Sequence, residues 1–563
     1  VIDPDSIIYK ADQELISDTL GLNEEGLQVG NLETNEDIDI MVDPDDFYKH
    51  FAVLAQTGAG KCVTPDTDVL MSDGSLKEIK DIFESSDIVV ESSDEEELRA
   101  LSGCSVKALN DKYKLDDADA VYAYRKKCSS VLKIETESGR KIEVTDEHPL
   151  MAAEKSYGFE EASELEEGMH IAVPRSTESA EVSNGIPISS DLDRSNQEER
   201  NRREDISRQF ERFEEMRESD NNIGKIVSEM DVGRSTVENR MYQSIRPEMS
   251  QGLALEQREK AFEVPEFLEA DLAEFLALVI SEGTEQQGNS YRITFTNNDE
   301  RLIERFEVLS EEIFGLEPRS MDSNARYIDS KALKHFLEDI GYQTLQKSRG
   351  KEIPNKVLSS DRIIQRKFLR TYYDAEGCME DQEITLSAAS SKIINQIGYM
   401  LLEFGIVPRF SERRKEATNS DHEGDIYYRL AISGKEQMQK FSEEIGFGIE
   451  RKQEKLENYL GAVEGNTNVD VIPIEGDYLK MEREKLGLSQ RELGEKIGSH
   501  STLISLYERD ERRPSRENMS KMAEELDSKI YSDLAGSDVM WDKIESIERK
   551  DHEGYVYDIT VRN

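Results

Sequence analysis

The stretch FAVLAQTGAGKCVTPDTDVLMSDGSLKEI, residues 51–79, joins two texts that do not belong together. An apolar strand, FAVLA, runs into a glycine-rich loop that ends at Lys61. Such a loop wraps phosphate in backbone N–H groups, and its lysine reaches the terminal phosphates. Gly58, Gly60 and Lys61 are therefore the candidate phosphate-binding residues. The next position calls for a Ser or Thr hydroxyl to hold Mg²⁺. It is Cys62 instead, and Ala55 stands where the first glycine of the loop belongs. After Cys62 the text becomes short β segments with turns, as in VLMSDGSLKEI and then VLKIETESGRKIEV. This β text stops near Arg175 and resumes in residues 538–563, with GYVYDITV. A long α/β stretch separates the halves, which is how one domain reads when another has been inserted into it.

The 563 residues allow several domains with ample cores. Acidic residues number 120 against 71 basic ones, a formal net charge of -49. Regular apolar periodicity over long segments argues for folded domains with an acidic surface rather than disorder. Such a surface stays hydrated in a salt-rich cytoplasm, so a halophilic source and a cytoplasmic location are expected. No apolar run is long enough to span a bilayer, and VIDPDSIIYK does not read as a signal peptide, so no membrane partner is expected. Cys62, Cys104, Cys128 and Cys378 lack metal-ligand spacing and read as free thiols.

Residues 29–61, VGNLETNEDIDIMVDPDDFYKHFAVLAQTGAGK, resemble the start of a HerA-type DNA-translocating ATPase. That resemblance implies ATP and Mg²⁺ as ligands of a host protein. No Walker B strand follows, so the loop is expected to work only after the insertion has left.

Cys62 and the VTPDTDVLMSDGSLKEI after it resemble the amino-terminal splice motif of inteins. GRKIEVTDEHP, residues 139–149, resembles their second motif, and ELEEGMHIAVPR, residues 164–175, is also similar to the family. The resemblance implies that the Cys62 thiol attacks the Lys61 carbonyl and turns an amide into a thioester. It assigns Thr145 and His148 to the scissile amide, where a histidine of near-neutral pKa supplies a proton. GYVYDITV resembles the motif that carries the splicing aspartate, here Asp558. The family continues with a second histidine, a His-Asn pair and a new nucleophile. These are expected beyond Asn563, which makes a carboxyl-terminal splice segment and the second extein the implied partners. Splicing itself needs no cofactor.

FLALVISEG, residues 275–283, and LRTYYDAEG, residues 369–377, resemble the paired helices of LAGLIDADG homing endonucleases. Small residues (Ala277, Ser281, Thr371 and Ala375) permit close helix approach. Glu282 and Glu376 would then converge as catalytic acids and hold Mg²⁺ for phosphodiester hydrolysis. Lys351, in KEIP, matches the K-x-I-P element, and Lys435 is the candidate for the same role in the second half. The resemblance implies a monomeric nuclease whose partner is double-stranded DNA of a host allele without the insertion. Arg409, Arg413, Arg414 and Lys415 are candidates for docking phosphates.

Residues 478–526 resemble a Cro/C1-type helix-turn-helix. Ser489 and Glu492 form a capping-box pattern, and Gly498 makes the turn. Ser499, His500, Thr502 and Ser505 would face the major groove. Arg509, Arg512, Arg513 and Arg516 would reach phosphates. Residues 222–241 look like a second helix-turn-helix, with Arg234, Ser235 and Thr236 as readers.

The expected fold is multidomain. An all-β Hint horseshoe (62–175 and 538–563) is interrupted by a charged linker (176–264), a duplicated α+β endonuclease (265–460), a second linker (461–477) and an all-α helix-turn-helix (478–530). A short β-rich ATPase fragment (1–61) precedes them. Two rivals are a DNA-binding regulator with decayed splicing and nuclease domains, and an ATPase with an inert insertion. Thiol-induced cleavage between Lys61 and Cys62 separates the intein from both.

Overall fold

A computed structural model describes residues 61–153, 157–177, 186–188, 264–285, 291–342, 348–380, 382–415, 425–463 and 470–562, together with the backbone of two earlier strands. The chain divides into two units, Val1–Ala59 and Gly60–Asn563. In the first, Leu27–Leu32 pairs antiparallel with Asn35–Val42. Gly58 and Gly60 of the phosphate loop lie outside the described residues, as do residues 222–241 with Arg234, Ser235 and Thr236.

In the second unit, the two ends of the insertion close on each other. Strand Leu115–Thr136 pairs with Val539–Val561 along nearly its whole length, from Thr136 opposite Ile544 to Ala120 opposite Val561. Glu96–Leu109 flanks the first of these strands, and His170–Pro174 flanks the second. Pro149–Ala153 and Tyr157–Glu161 extend the sheet beyond it. Alternation drives the pairing: Ala123, Val131, Leu132 and Ile134 are buried along one strand, and Met540, Ile544, Val556 and Tyr557 along the other. The β text at 538–563 is thus the missing half of the sheet begun after Cys62.

Two α+β units with the same topology lie between those ends. The first has helix Ala270–Glu282, then strands Gly283–Glu285, Arg292–Thr296, Arg319–Ser320 and Ala325–Asp329. The second has helix Arg362–Glu376, then Cys378–Glu380, Glu383–Ala388, Arg409–Lys415 and Asp425–Ile432. In each sheet the spatial order is first, second, fourth, third. The two leading helices pack along each other, with Ala277 and Thr371 buried. Each helix ends at a glycine that a side chain could not replace. A Cβ on Gly283 would sit 2.2 Å from the Val279 carbonyl oxygen, and one on Gly377 would sit 2.7 Å from that of Tyr373. Close backbone approach, not a left-handed turn, requires both.

Five helices follow: Gly476–Lys485, Gln490–Lys496, Ser501–Tyr507, Arg516–Leu526 and Lys529–Gly536. The Ser489–Glu492 capping box forms, and Gly498 turns the chain at φ +70. This bundle is not a separate bead. Its core of Leu479, Leu493, Ile504 and Met522 continues into Ala153 and Trp541 of the β sheet, and the Tyr157 hydroxyl donates to the Pro473 carbonyl. The linker expected at 461–477 is correspondingly shorter. Helix Glu450–Ala462 runs into its start, while Ile472 is fully buried in the bundle core. Among the described residues no helix is long and apolar enough to cross a membrane.

Candidate functional site

The structure gathers Cys62, Thr145, His148 and Asp558 around one peptide bond. Val63 forms antiparallel bridges to Val144 on one side and Tyr557 on the other. Those bridges set Cys62 between the strand that leads into Thr145 and the strand that carries Asp558. Cys62 is fully buried, with Tyr124, Val131 and Val556 as neighbours. Its amide N–H, the nitrogen of the Lys61–Cys62 bond, donates to Thr145 Oγ1 at 3.0 Å. The Thr145 N–H donates back to the Cys62 carbonyl at 2.9 Å. His148 follows one turn later, its N–H on the Thr145 carbonyl at 3.1 Å. The imidazole ring is hydrogen-bonded to the Lys61 backbone. Thr145 and the His148 ring therefore bracket the Lys61–Cys62 bond from its nitrogen side and from Lys61.

Burial governs the ionisation of these groups. It pushes the Cys62 thiol up to about 12, and the nearby Asp558 carboxylate adds to the rise. Burial also raises Asp558, to about 6, against opposing effects from the Ile559 backbone and from Lys61. The His148 ring is lowered by burial, partly offset by its bond to Lys61, and its Nδ1 has no partner. At neutral pH the site holds a thiol, an ionised carboxylate and a neutral imidazole.

A second constellation lies where the paired helices end. Glu282 accepts from Asn297 Nδ2 at 3.1 Å. Burial raises the Glu282 carboxyl, while Lys351 and Asn297 pull it down. Tyr372, buried between the helices, is raised by burial and then by both Glu376 and Glu282. The two acids therefore act on one phenol. Lys351 Nζ donates to the carbonyls of Ile280 and Gly283, each at 2.9 Å, and so caps the end of its helix. In the second half that role falls to Lys452, whose Nζ donates to Asp374 O at 2.7 Å and Gly377 O at 2.5 Å. Lys435 is not the counterpart: its Nζ donates to the Val463 carbonyl at 2.7 Å, away from the helix end. Asp374 was also missed. Its carboxylate accepts from the Gly448 and Ile449 N–H groups at the start of helix Glu450–Ala462, which holds the Lys452 segment against the acids. K-x-I-P marks Lys351 in the text, whereas no local signal marks Lys452.

In the helical bundle, His500 and Thr502 are exposed, and Ser499 and Ser505 are half-buried at the start and middle of helix Ser501–Tyr507. His500 caps that helix, its side chain accepting from the Thr502 N–H. Arg509 and Arg512 are exposed. Arg513 and Arg516 are not available to phosphate. Arg513 is half-buried beside Tyr157, with Nη1 buried. Arg516 is bound to Asp470 at 2.8 Å and to the Ala535 and Val539 carbonyls. Arg413 and Arg414 are exposed on strand Arg409–Lys415, whereas Arg409 is ion-paired to Glu137 at 3.4 Å.

Two long strands drawn from opposite ends of the insertion, closing over a buried cysteine, define a splicing domain interrupted by other modules. The profile of the intein splicing domain matches residues 69–563, and that of the central domain of helicase HerA matches residues 27–67. The chain belongs to the intein splicing family, carried on a HerA-like segment. It is 26% identical over 444 residues to replication factor C small subunit of Methanocaldococcus jannaschii, covering 78% of this chain and 19% of that one. It is 24% identical over 512 residues to the probable translation initiation factor IF-2 of Thermococcus kodakarensis, covering 84% and 40%. With glutamine–fructose-6-phosphate aminotransferase of M. jannaschii it shares 23% over 539 residues, covering 90% and 45%. The chain thus spans less than half the length of these relatives. Among solved structures it is similar to the TvoVMA intein (29% identity, 21% of this chain and 72% of that one, TM-score 0.20). It is also similar to mesophilic variants of the homing endonuclease I-DmoI (18% identity, 32% and 96%, TM-score 0.24).

Proposed function

We propose that the chain performs the first step of protein splicing at Lys61–Cys62 and carries a site-specific DNA endonuclease that spreads the insertion. The observation that carries the splicing reading is the bracketing of one peptide bond, with Thr145 on its nitrogen and His148 on Lys61. The Cys62 thiol gives its proton to Asp558, and Sγ bonds to the Lys61 carbonyl carbon. The carbon–nitrogen bond then breaks as the neutral His148 ring gives its proton to the Cys62 nitrogen, and the proton left on Asp558 restores the ring, so both groups return to their starting forms. The net change is an amide converted into a thioester and a free amine, with no atoms gained or lost. The relatives favour a mobile element too. Their names describe unrelated proteins, yet each matches most of this chain with a minority of its own length. Once the insertion has left, Gly58, Gly60 and Lys61 rejoin a host phosphate loop that binds ATP and Mg²⁺.

Asp558 must be ionised to take the thiol proton. Its carboxyl is raised to about 6, so its proton is lost only as pH rises through that value. Release of residues 1–61 by excess thiol is expected to climb between pH 5 and pH 7, after correction for the ionisation of the reagent. Rates flat across that window would remove Asp558 from the mechanism.

Glu282 and Glu376 would be the ligands of a divalent cation, each standing at the end of one of the two helices that pack along each other. Mg²⁺ held there would stabilise charge on a scissile phosphate. DNA phosphate oxygens and water would supply the remaining oxygen ligands. Lys351 and Lys452 orient the helix ends.

The helix-turn-helix is proposed to read the target, with Arg413, Arg414, Arg509 and Arg512 docking phosphates. The net charge of -49 opposes long-range attraction to DNA. Each phosphate contact fades with salt, at a log–log slope of roughly -0.9 per neutralised phosphate. Base contacts must then carry specificity. Because the bundle shares its core with Trp541, deleting it would damage the splicing domain, so point changes give the cleaner test. Thr502→Ala with Ser505→Ala is expected to reduce discrimination between target and scrambled DNA about tenfold or more, since a good base contact supplies about 1–3 kcal/mol. Equal discrimination at high salt would show that this helix does not read the site.

A further inference from the structure

Tyr124 takes no part in the steps above, yet it stands inside the splicing site. It sits directly opposite Asp558 in the pairing of the two long strands, so both side chains share one face. It is only 6% exposed and packs in the cluster that contains Cys62. Its hydroxyl is buried and makes no hydrogen bond of normal geometry, the Glu96 carboxylate being the acceptor that acts on it weakly. A buried phenol without a full partner is costly and calls for an explanation. The groups around it are Glu96 from the neighbouring strand, Cys62 and Asp558, and with burial they hold the phenol well above its ordinary range. It therefore stays a donor at every pH at which the protein works.

We infer that Tyr124 is a positioning residue of the splicing site, its hydroxyl donating to the negative charge carried by Asp558 and shared with Cys62 Sγ as the thiol proton moves. The geometry suits this role. The donor is held only weakly, by Glu96, before reaction, lies across one strand spacing from the Asp558 backbone, and is shielded from water that would otherwise serve. Lys126 and Lys61 are the cations near this charge, and Glu147 and Cys128 are further acidic groups near Cys62. Tyr124 is thus a neutral donor among charged groups. The inference rests on thioester formation at Cys62 with Asp558 as proton acceptor.

The test is thiol-induced release of residues 1–61 from the full chain as a function of pH. Four proteins are compared: wild type, Tyr124→Phe, Glu96→Gln and Cys62→Ala. Phenylalanine keeps the ring and its packing, so the thermal unfolding midpoint should hold. Loss of the donor is expected to lower the plateau rate roughly tenfold or more, as befits a hydrogen bond to a charged group. It should also move the rising limb to higher pH, because an unsolvated carboxylate without its donor ionises later. Glu96→Gln, which removes the charge of the competing acceptor but keeps an oxygen for the hydroxyl, should leave the limb in place or move it down. An unmoved limb in Tyr124→Phe overturns the inference, as does a lower plateau that only tracks a lower unfolding midpoint. A shift in Glu96→Gln equal to that in Tyr124→Phe also overturns it, because the hydroxyl then serves Glu96. Release that persists in Cys62→Ala would instead sink the splicing reading itself.

Discussion

Changing Cys62 to alanine is expected to leave no thiol-dependent release of residues 1–61, where the wild-type chain yields that fragment. Alanine keeps the backbone that donates to Thr145 Oγ1 and bridges Val63 to Val144 and Tyr557. It removes only the sulfur, so a lost activity cannot be blamed on a lost sheet. The sulfur fills space in a small cluster with Tyr124, Val131 and Val556. Its removal costs about 1 kcal/mol of packing, in line with deletion of one buried group. Without Sγ there is no atom to carry the acyl group, and an amide does not exchange with external thiol at a measurable rate. Mass spectrometry of the incubated protein reads the outcome directly. A fragment ending at Lys61 from both proteins would mean proteolysis or another nucleophile, and would remove Cys62 from the chemistry of this junction. Serine at the same position is the informative intermediate: it retains a nucleophile but forms an ester, so the thiol-dependent product should fall steeply without the fold changing.

The sequence pattern was most legible where chemistry and periodicity coincide. Alternating apolar residues in GYVYDITV called for a strand, and that strand pairs with Leu115–Thr136 across more than 400 residues of chain. The run FLALVISEG is almost wholly buried, as its lack of a polar face implies. Ser489 and Glu492 formed their capping box because that signal is local. What could not be read were partners brought in by tertiary packing. Lys435 sits in a helix-initiating stretch and looked like the second-half lysine, yet Lys452 is the one that Asp374 and the Gly448 turn deliver to the helix end. Arg513 and Arg516 looked like a phosphate-binding run, because a stretch of charge says nothing about which members face inward. Arg516 instead ties the bundle to Asp470 and to the start of the closing strand. Domain borders blurred for the same reason. Leu402 and Val407 of the second α+β unit lie in the core of the β sheet, and Phe410 N–H donates to the Ser138 carbonyl at 2.7 Å. Modules that look separable in text share cores in space, which is why single substitutions are better probes here than deletions.

Glu282→Gln and Glu376→Gln, made singly, are each expected to reduce cleavage of DNA spanning the uninterrupted phosphate-loop codons by roughly a thousandfold with Mg²⁺ present. Metal-assisted stabilisation of charge supplies several kcal/mol, and about 1.4 kcal/mol is tenfold in rate. Glutamine is nearly isosteric and keeps an oxygen for the Asn297 amide, so the Glu282 helix end should survive. The glycine that follows each acid allows the close backbone approach, and neither glycine is altered. Binding of the same DNA should persist, because Arg413, Arg414, Thr502 and the other docking candidates lie elsewhere. The two halves need not contribute equally. Glu282 has Asn297 and Lys351 beside it, while the second helix holds Lys452 in the matching place. A nuclease whose two carboxylates share the metal for both cuts loses both strand cleavages in either mutant. One that uses each acid for one strand leaves nicked DNA in single mutants and intact DNA only in the double. Gel separation of nicked from linear plasmid distinguishes these. Wild-type linearisation by either single mutant would show that the helix-end acids are packing residues, and would leave the splicing chemistry as the activity of this chain.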